Sequence, residues 1–129
     1  AGLLRIRLSH MEELTQEKIA IASRYTEGIH NPKIKLPQIP EGATCVYHQY
    51  VIRCEERDRL IEYLNEKEIG TIIHYPIPPH LAEAYRYLGH HEGDFPITEH
   101  LAGTVLSIPM YNGMTEDEQN VVIDALNRF

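Results

Sequence analysis

The chain has 129 residues, 43% of them hydrophobic and 24% charged, with a formal net charge of -7. That is the size and composition of one soluble domain with a real core. No apolar run approaches the roughly 20 residues that cross a bilayer, there is no signal-peptide pattern, and no basic stripe invites a nucleic-acid backbone.

From Ala1 to Glu27 apolar residues recur at helical spacing, through Leu4, Leu8, Met11, Ile19, Ala22 and Tyr25. This predicts one long helix of about seven turns, closed by Gly28 as a left-handed stop and by the Asn31-Pro32 step. The chain opens without methionine, with the helical pattern already running, so it is expected to begin inside an element of something larger. Prolines between Pro32 and Gly42 predict an extended surface connection. "TCVYHQYVIRC" predicts the clearest strand, with Cys45 and Cys54 at its two ends. Such a strand would span roughly 30 Å, too far for the thiols to pair, and free thiols fit a reducing compartment. His48 and Tyr50 alternate on one face of it and read as packing residues.

"EERDRLIEYLNEKEIG" predicts a helix with Leu60, Ile61 and Leu64 inward, stopped by Gly70. Gly70 to Tyr75 predicts a second strand in a β-α-β order, and Leu81 to Leu88 a short helix. "GHHEGDFP" reads as a loop from which Asp94 caps another short helix through Leu101. "TVLSIPM" predicts the third strand, ended by Pro109. Thr115 and Glu118 form a capping box for a last helix with Val121, Val122, Ala125, Leu126 and Phe129 on its apolar face. The expected fold is a single α/β domain of α+β-like character, residues 1–129. Its sheet has about three strands, with helices mainly on one face and a long N-terminal helix.

Eight histidines raise the question of a metal. His90, His91, Glu92 and Asp94 offer ligand types, with His74 and His80 not far off in sequence. No metal-ligand motif organises them, and solvated loop histidines are the default reading. The serines lack a nucleophile-elbow frame, and no glycine-rich phosphate loop occurs. Lys18, Lys33, Lys35 and Lys67 lie on charged helix faces or in the proline-rich connection, away from the apolar setting that a Schiff-base lysine needs. His74 and Tyr75 stand apart because they fall at a strand end, where α/β folds commonly place ligand groups. Pro76, Pro78 and Pro79 stiffen the segment beyond them, so little ordering entropy is lost when a ligand arrives. The bland alternative is a strand end whose His and Tyr satisfy local backbone groups.

"CVYHQYVIRCEERDRLIEYLNEKEIGTIIHYPIPPHLAEAYRYLG" and "GDFPITEHLAGTVLSIPMYNGMTEDEQNVVIDAL", with the N-terminal "LLRIRLSHMEEL…ASRYTEGI", resemble the C-terminal domain of the DegT/StrS-type sugar aminotransferases. The resemblance runs over essentially the whole chain, most specifically at "HYPIPPH" and "FPITEHLAGTVLSIPMY". It implies the small domain of the aspartate-aminotransferase (type I pyridoxal phosphate) fold. The cofactor, pyridoxal 5'-phosphate, would be carried on a lysine of a separate N-terminal domain absent from this chain. It implies amino transfer from glutamate to a keto-deoxysugar nucleotide, in the "GTIIHYPIPPHL" form most like a thymidine-diphosphate 3-keto sugar, by a cytoplasmic homodimer. By the same resemblance His74, Tyr75 and His80 face the substrate, while this chain alone holds no catalytic lysine, binds no cofactor and is inactive. The alternatives are a dehydratase relative using the same cofactor, a free-standing sugar-nucleotide-binding or regulatory module, and a metal-dependent hydrolase. Loss of its natural cover would also leave Leu3, Leu4 and Leu8 partly exposed.

Overall fold

The computed structural model describes residues 2–129, apart from the side chain of Leu3. In place of one long helix there are two, α1 (Gly2–Ser9) and α2 (Met11–Gly28), broken at His10. His10 leaves helical geometry at φ -105 and ψ 3 with no side-chain cap, and Ser9 Oγ turns back to the Ile6 carbonyl at 2.7 Å. The break falls where burial stops. Leu4, Ile6 and Leu8 of α1 are 71%, 62% and 67% exposed, whereas Ile21, Ala22 and Tyr25 of α2 are in the core. Gly28 also acts differently from expectation. It stays within the helix, and Ile29 ends α2 by turning extended. A Cβ on Gly28 would lie 2.9 Å from Ile123 Cδ1, so the glycine permits the close approach of the last helix.

The sheet has three antiparallel strands in the order β1 (Ile34–Lys35), β2 (Tyr50–Cys54) and β3 (Val105–Ile108). The proline-rich connection thus supplies a short edge strand, paired Ile34 with Cys54. The long strand expected from Thr44 begins only at Tyr50, because Tyr47 sits at φ 46 and turns the chain. Cys45 therefore lies outside the sheet, and both thiols are free. The strand expected at Gly70–Tyr75 is reduced to one antiparallel bridge, in which Ile72 and Ser107 exchange both backbone hydrogen bonds at 3.1 and 2.8 Å. Pro76, Pro78 and Pro79 lack the N–H groups needed to lengthen it. Every pairing is antiparallel, so the two strands of the β-α-β order, β2 and the Ile72 segment, run parallel to each other with β3 between them.

Helix α3 (Arg57–Asn65) ends earlier than Gly70, with Glu68 rather than the glycine in the left-handed region at φ 60 and Ile69 N–H donating to the Leu64 carbonyl. The 81–88 segment forms two 3₁₀ turns, Pro79–Leu81 and Glu83–Leu88. Helix α4 (Pro96–Thr104) starts after Phe95 with proline in its first turn; no side chain caps it, and Asp94 instead accepts from the His91 N–H at 2.9 Å. Helix α5 (Glu116–Arg128) has the expected capping box: Thr115 accepts from Glu118 N–H, and the Glu118 carboxylate accepts from Thr115 N–H.

Register places the core on one side of the sheet. Tyr50 pairs with Ile108 and Ile52 with Leu106, so these four point to one face, where α2, α3 and α5 bring Tyr25, Leu60, Leu64, Val122 and Leu126. Val51 and Ser107 pair on the opposite face. Tyr25 and Tyr50 meet edge to face at 5.3 Å, and each hydroxyl is satisfied, Tyr25 by the Pro109 carbonyl and Tyr50 by Thr26 Oγ1, both at 2.8 Å. Burial pushes both phenols above the usual tyrosine range, so they remain neutral donors.

Candidate functional site

The second face of the sheet carries the candidate site. Ser107, at 7% exposure, points away from the core because its neighbours Leu106 and Ile108 point into it. Its backbone bridge to Ile72 brings the next residues of that segment over this face, and Ser107 Oγ lies 2.9 Å from His74 Nδ1. On the other side of the ring, Gln49 Nε2 lies 3.1 Å from His74 Nε2. With the Gln49 amide in this orientation its N–H donates to Nε2, so Nδ1 carries the ring proton and donates to Ser107. The imidazole is held at both nitrogens. Ser107 is an acceptor closed to solvent, which is the reverse of an activated nucleophile.

Tyr75 comes next, 75% exposed, its ring edge-on to His74 at 5.5 Å. The peptide between them is cis. The phenol has no intramolecular hydrogen-bond partner among the described residues and projects outward from the stiff segment. Two clefts flank His74. One, of about 370 Å³, is lined by Lys18, Gln49, Thr71, Ser107 and Met110. The other, of about 250 Å³, is mostly apolar and runs between Tyr75, Ile77 and Pro79 on one wall and Leu101 and Val105 on the other. Together they offer a fixed imidazole, a free phenol and apolar walls, a set suited to a polar ring bearing an apolar substituent.

His80 does not join this surface. Its side chain is 8% exposed, its Nε2 lies 2.9 Å from Glu99 Oε1, and its ring packs on Phe95 at 4.7 Å. The first 3₁₀ turn directs it inward toward α4, where it meets Glu99. Glu99 also accepts from Gly93 N–H and Phe95 N–H. These bonds, that from Gly93 first, hold its carboxyl below the usual carboxylate range. His90 approaches Asp94 at 3.5 Å and packs against Phe95, while His48 is exposed and lends only its carbonyl to Lys18 Nζ at 3.1 Å. Among the described residues no three ligand-type side chains converge on one point, and no helix is long and apolar enough to cross a membrane.

Sequence reasoning singled out His74 and Tyr75 as candidates and did not assign Gln49, Ser107 and Lys18 to their surroundings. The available signal was Ser107 itself, a hydroxyl at a position of "VLSI" that alternation turns away from the core.

The four lysines have the following surroundings. Lys33 pairs with Glu56 at 3.1 Å, Lys35 reaches Glu55 at 4.0 Å, and Lys67 lies over the Tyr63 ring at 4.8 Å. Lys18 borders an open cleft and binds a backbone carbonyl.

The chain is 39% identical over 129 residues, all of its length and 35% of the relative's, to the dTDP-3-amino-3,6-dideoxy-alpha-D-galactopyranose transaminase of Aneurinibacillus thermoaerophilus. Among solved structures, DesV of Streptomyces venezuelae in complex with a ketimine intermediate matches with a TM-score of 0.94 at 35% identity, over 98% of this chain and 34% of that one. NtdA of Bacillus subtilis with bound cofactor PMP matches with a TM-score of 0.76 at 26% identity, over 89% of this chain and 28% of that one. The chain spans about a third of the length of the curated relatives it matches. The sequence profile described as the DegT/DnrJ/EryC1/StrS aminotransferase family matches residues 1–127, and with that span and these folds the chain belongs to the DegT/DnrJ/EryC1/StrS aminotransferase family.

Proposed function

We propose that residues 1–129 form the C-terminal small domain of a pyridoxal-phosphate-dependent aminotransferase that moves an amino group from glutamate to a keto-deoxysugar nucleotide. The nucleotide sugar proposed is a thymidine-diphosphate 3-keto-6-deoxyhexose. The cofactor and its lysine belong to a separate N-terminal domain of a cytoplasmic homodimer; the free thiols Cys45 and Cys54 accord with that compartment. The observation that carries the reading is His74, pinned by Gln49 and Ser107 beside the unpartnered Tyr75 hydroxyl. The printed activity of the 39% identical relative supports the substrate class.

In this role the chain supplies recognition rather than bond-making. The Tyr75 O–H donates to a sugar hydroxyl, carbonyl or phosphate oxygen, and His74 presents the ring edge beside it. The apolar cleft at Ile77 and Leu101 receives the deoxy carbon and excludes water from that side. Bound cofactor would supply the electron sink for amino transfer, and no group of this chain substitutes for it.

Two measurements test the reading. In the full-length enzyme, Tyr75→Phe and His74→Ala are expected to raise KM for the nucleotide sugar or lower turnover by about threefold to tenfold, the worth of one hydrogen bond. Cofactor absorbance should stay intact, and its loss in either variant would remove the loop from the substrate side. The 129-residue chain mixed with pyridoxal phosphate and reduced with borohydride should show no stoichiometric single-lysine adduct. A unique adduct at Lys18, Lys33, Lys35 or Lys67 would mean that this chain holds its own catalytic site.

A further inference from the structure

The segment carrying Tyr75 is a short span fixed at both ends. At the near end, His74 is bonded to Ser107 Oγ and Gln49, both seated on the sheet face. At the far end, His80 is 8% exposed and bonded to Glu99. Between them Pro76, Pro78 and Pro79 each lock φ, leaving little torsional freedom to absorb a shift of either end. Tyr75 and Ile77 project from the middle at 75% and 59% exposure, while Pro78 is buried beneath.

We propose that Glu99 is a positioning residue for substrate recognition: one carboxylate gathers His80 Nε2, Gly93 N–H and Phe95 N–H, and through His80 sets where Tyr75 stands. The inference rests on the functional reading above. Its support is the convergence on Glu99. The carboxylate accepts from Gly93 N–H at 3.0 and 2.9 Å, from Phe95 N–H at 3.2 Å, and meets His80 at 2.9 Å. Phe95 closes the cluster by packing its ring against both His80 and His90, at 4.7 and 5.1 Å. The helix bearing Glu99 is itself anchored, because Arg57 at the start of α3 donates from Nη1 to the Ala102 carbonyl in the last turns of α4. Thr98 and Leu101, on either side of Glu99, line the same cleft as Tyr75. A displacement of His80 is therefore passed along a stiff chain to the phenol, and misplacement by about 1 Å at a recognition group costs far more than its distance suggests.

The test uses the full-length enzyme with Glu99→Ala, Glu99→Gln and His80→Phe. Glu99→Ala should raise KM for the nucleotide sugar on the order of tenfold to a hundredfold, with a smaller change in kcat and an unchanged cofactor spectrum. Hydrogen exchange should quicken in segment 74–81 as well as in 91–96. Glu99→Gln keeps an acceptor for one amide and should fall between wild type and alanine. If Glu99→Ala does not fold, His80→Phe decides: it keeps the ring against Phe95, cuts only the bond to Glu99, and should raise KM while leaving exchange in 91–96 as in wild type. Unchanged KM in His80→Phe, or exchange quickened in 91–96 alone, would overturn the proposal. Should His74→Ala and Tyr75→Phe themselves leave KM untouched, the functional reading fails instead, and exchange in 74–81 still decides whether Glu99 positions the span.

Discussion

Replacing Tyr25 by phenylalanine isolates one hydrogen bond that ties the core to the site. The ring is fully buried, and its hydroxyl donates to the Pro109 carbonyl at 2.8 Å and approaches Met114 Sδ at 3.5 Å. Pro109 comes directly after β3 and borders the cleft beside His74. Tyr25→Phe leaves the ring and its edge-to-face contact with Tyr50 in place and removes only the donor. Pro109 is half-buried, so its abandoned carbonyl regains water only in part, and the cost falls at the upper end of the range for a neutral bond, about 1.5 kcal/mol. Unfolding entropy near 2.1 cal/mol/K per residue then gives a drop in Tm of about 6 °C for a chain of this size. The assay is urea denaturation followed by circular dichroism, with thermal melts alongside. Because burial keeps the phenol neutral, the loss should be the same from about pH 6 to pH 9. A loss under about 0.5 kcal/mol at unchanged denaturant slope would mean that water replaces the hydroxyl and that Tyr25 is a packing residue only.

Two other perturbations are as direct. Leu126→Ala removes a fully buried side chain from the seam of α5 against the sheet and should cost about 2–5 kcal/mol by denaturation, the spread reflecting how far the site collapses. A loss below that range would show the seam to be loosely packed. Acid should destabilise the chain through its bonded carboxylates. Backbone and side-chain donors hold Glu118, Glu17, Glu99, Glu56 and Asp94 below the usual range: Thr115 N–H first for Glu118, the Asn112 amide for Glu17, Gly93 N–H for Glu99, Lys33 for Glu56 and His91 N–H for Asp94. A depressed native value means that the unfolded chain takes up protons first. The stabilisation is therefore complete above the ordinary carboxylate range and lost as pH falls below about 4. Denaturation midpoints that stay flat from pH 7 to pH 3 would contradict these bonds.

Much of the architecture is written in local pattern. The apolar faces of α2, α3 and α5, the Thr115–Glu118 box and the β-branched run at Tyr50–Cys54 each specify an element without reference to the rest of the chain. Likewise Pro76, Pro78 and Pro79 announce a stiff segment after His74 wherever it lies. Pairing is different in kind, since a strand's partner is chosen by register over long sequence distances. Ile34–Lys35 became an edge strand on β2, and Gly70–Tyr75 kept a single bridge to the free edge of β3. Gly28 looks like a stop in sequence, yet the space left by Ile123 on another helix is what requires it. The same division runs through the site. Residue type and proline spacing single out His74 and Tyr75. Only the fold brings Ser107 and Gln49 to the two ring nitrogens and turns His80 inward to Glu99, because those contacts join residues 33, 25 and 19 positions apart.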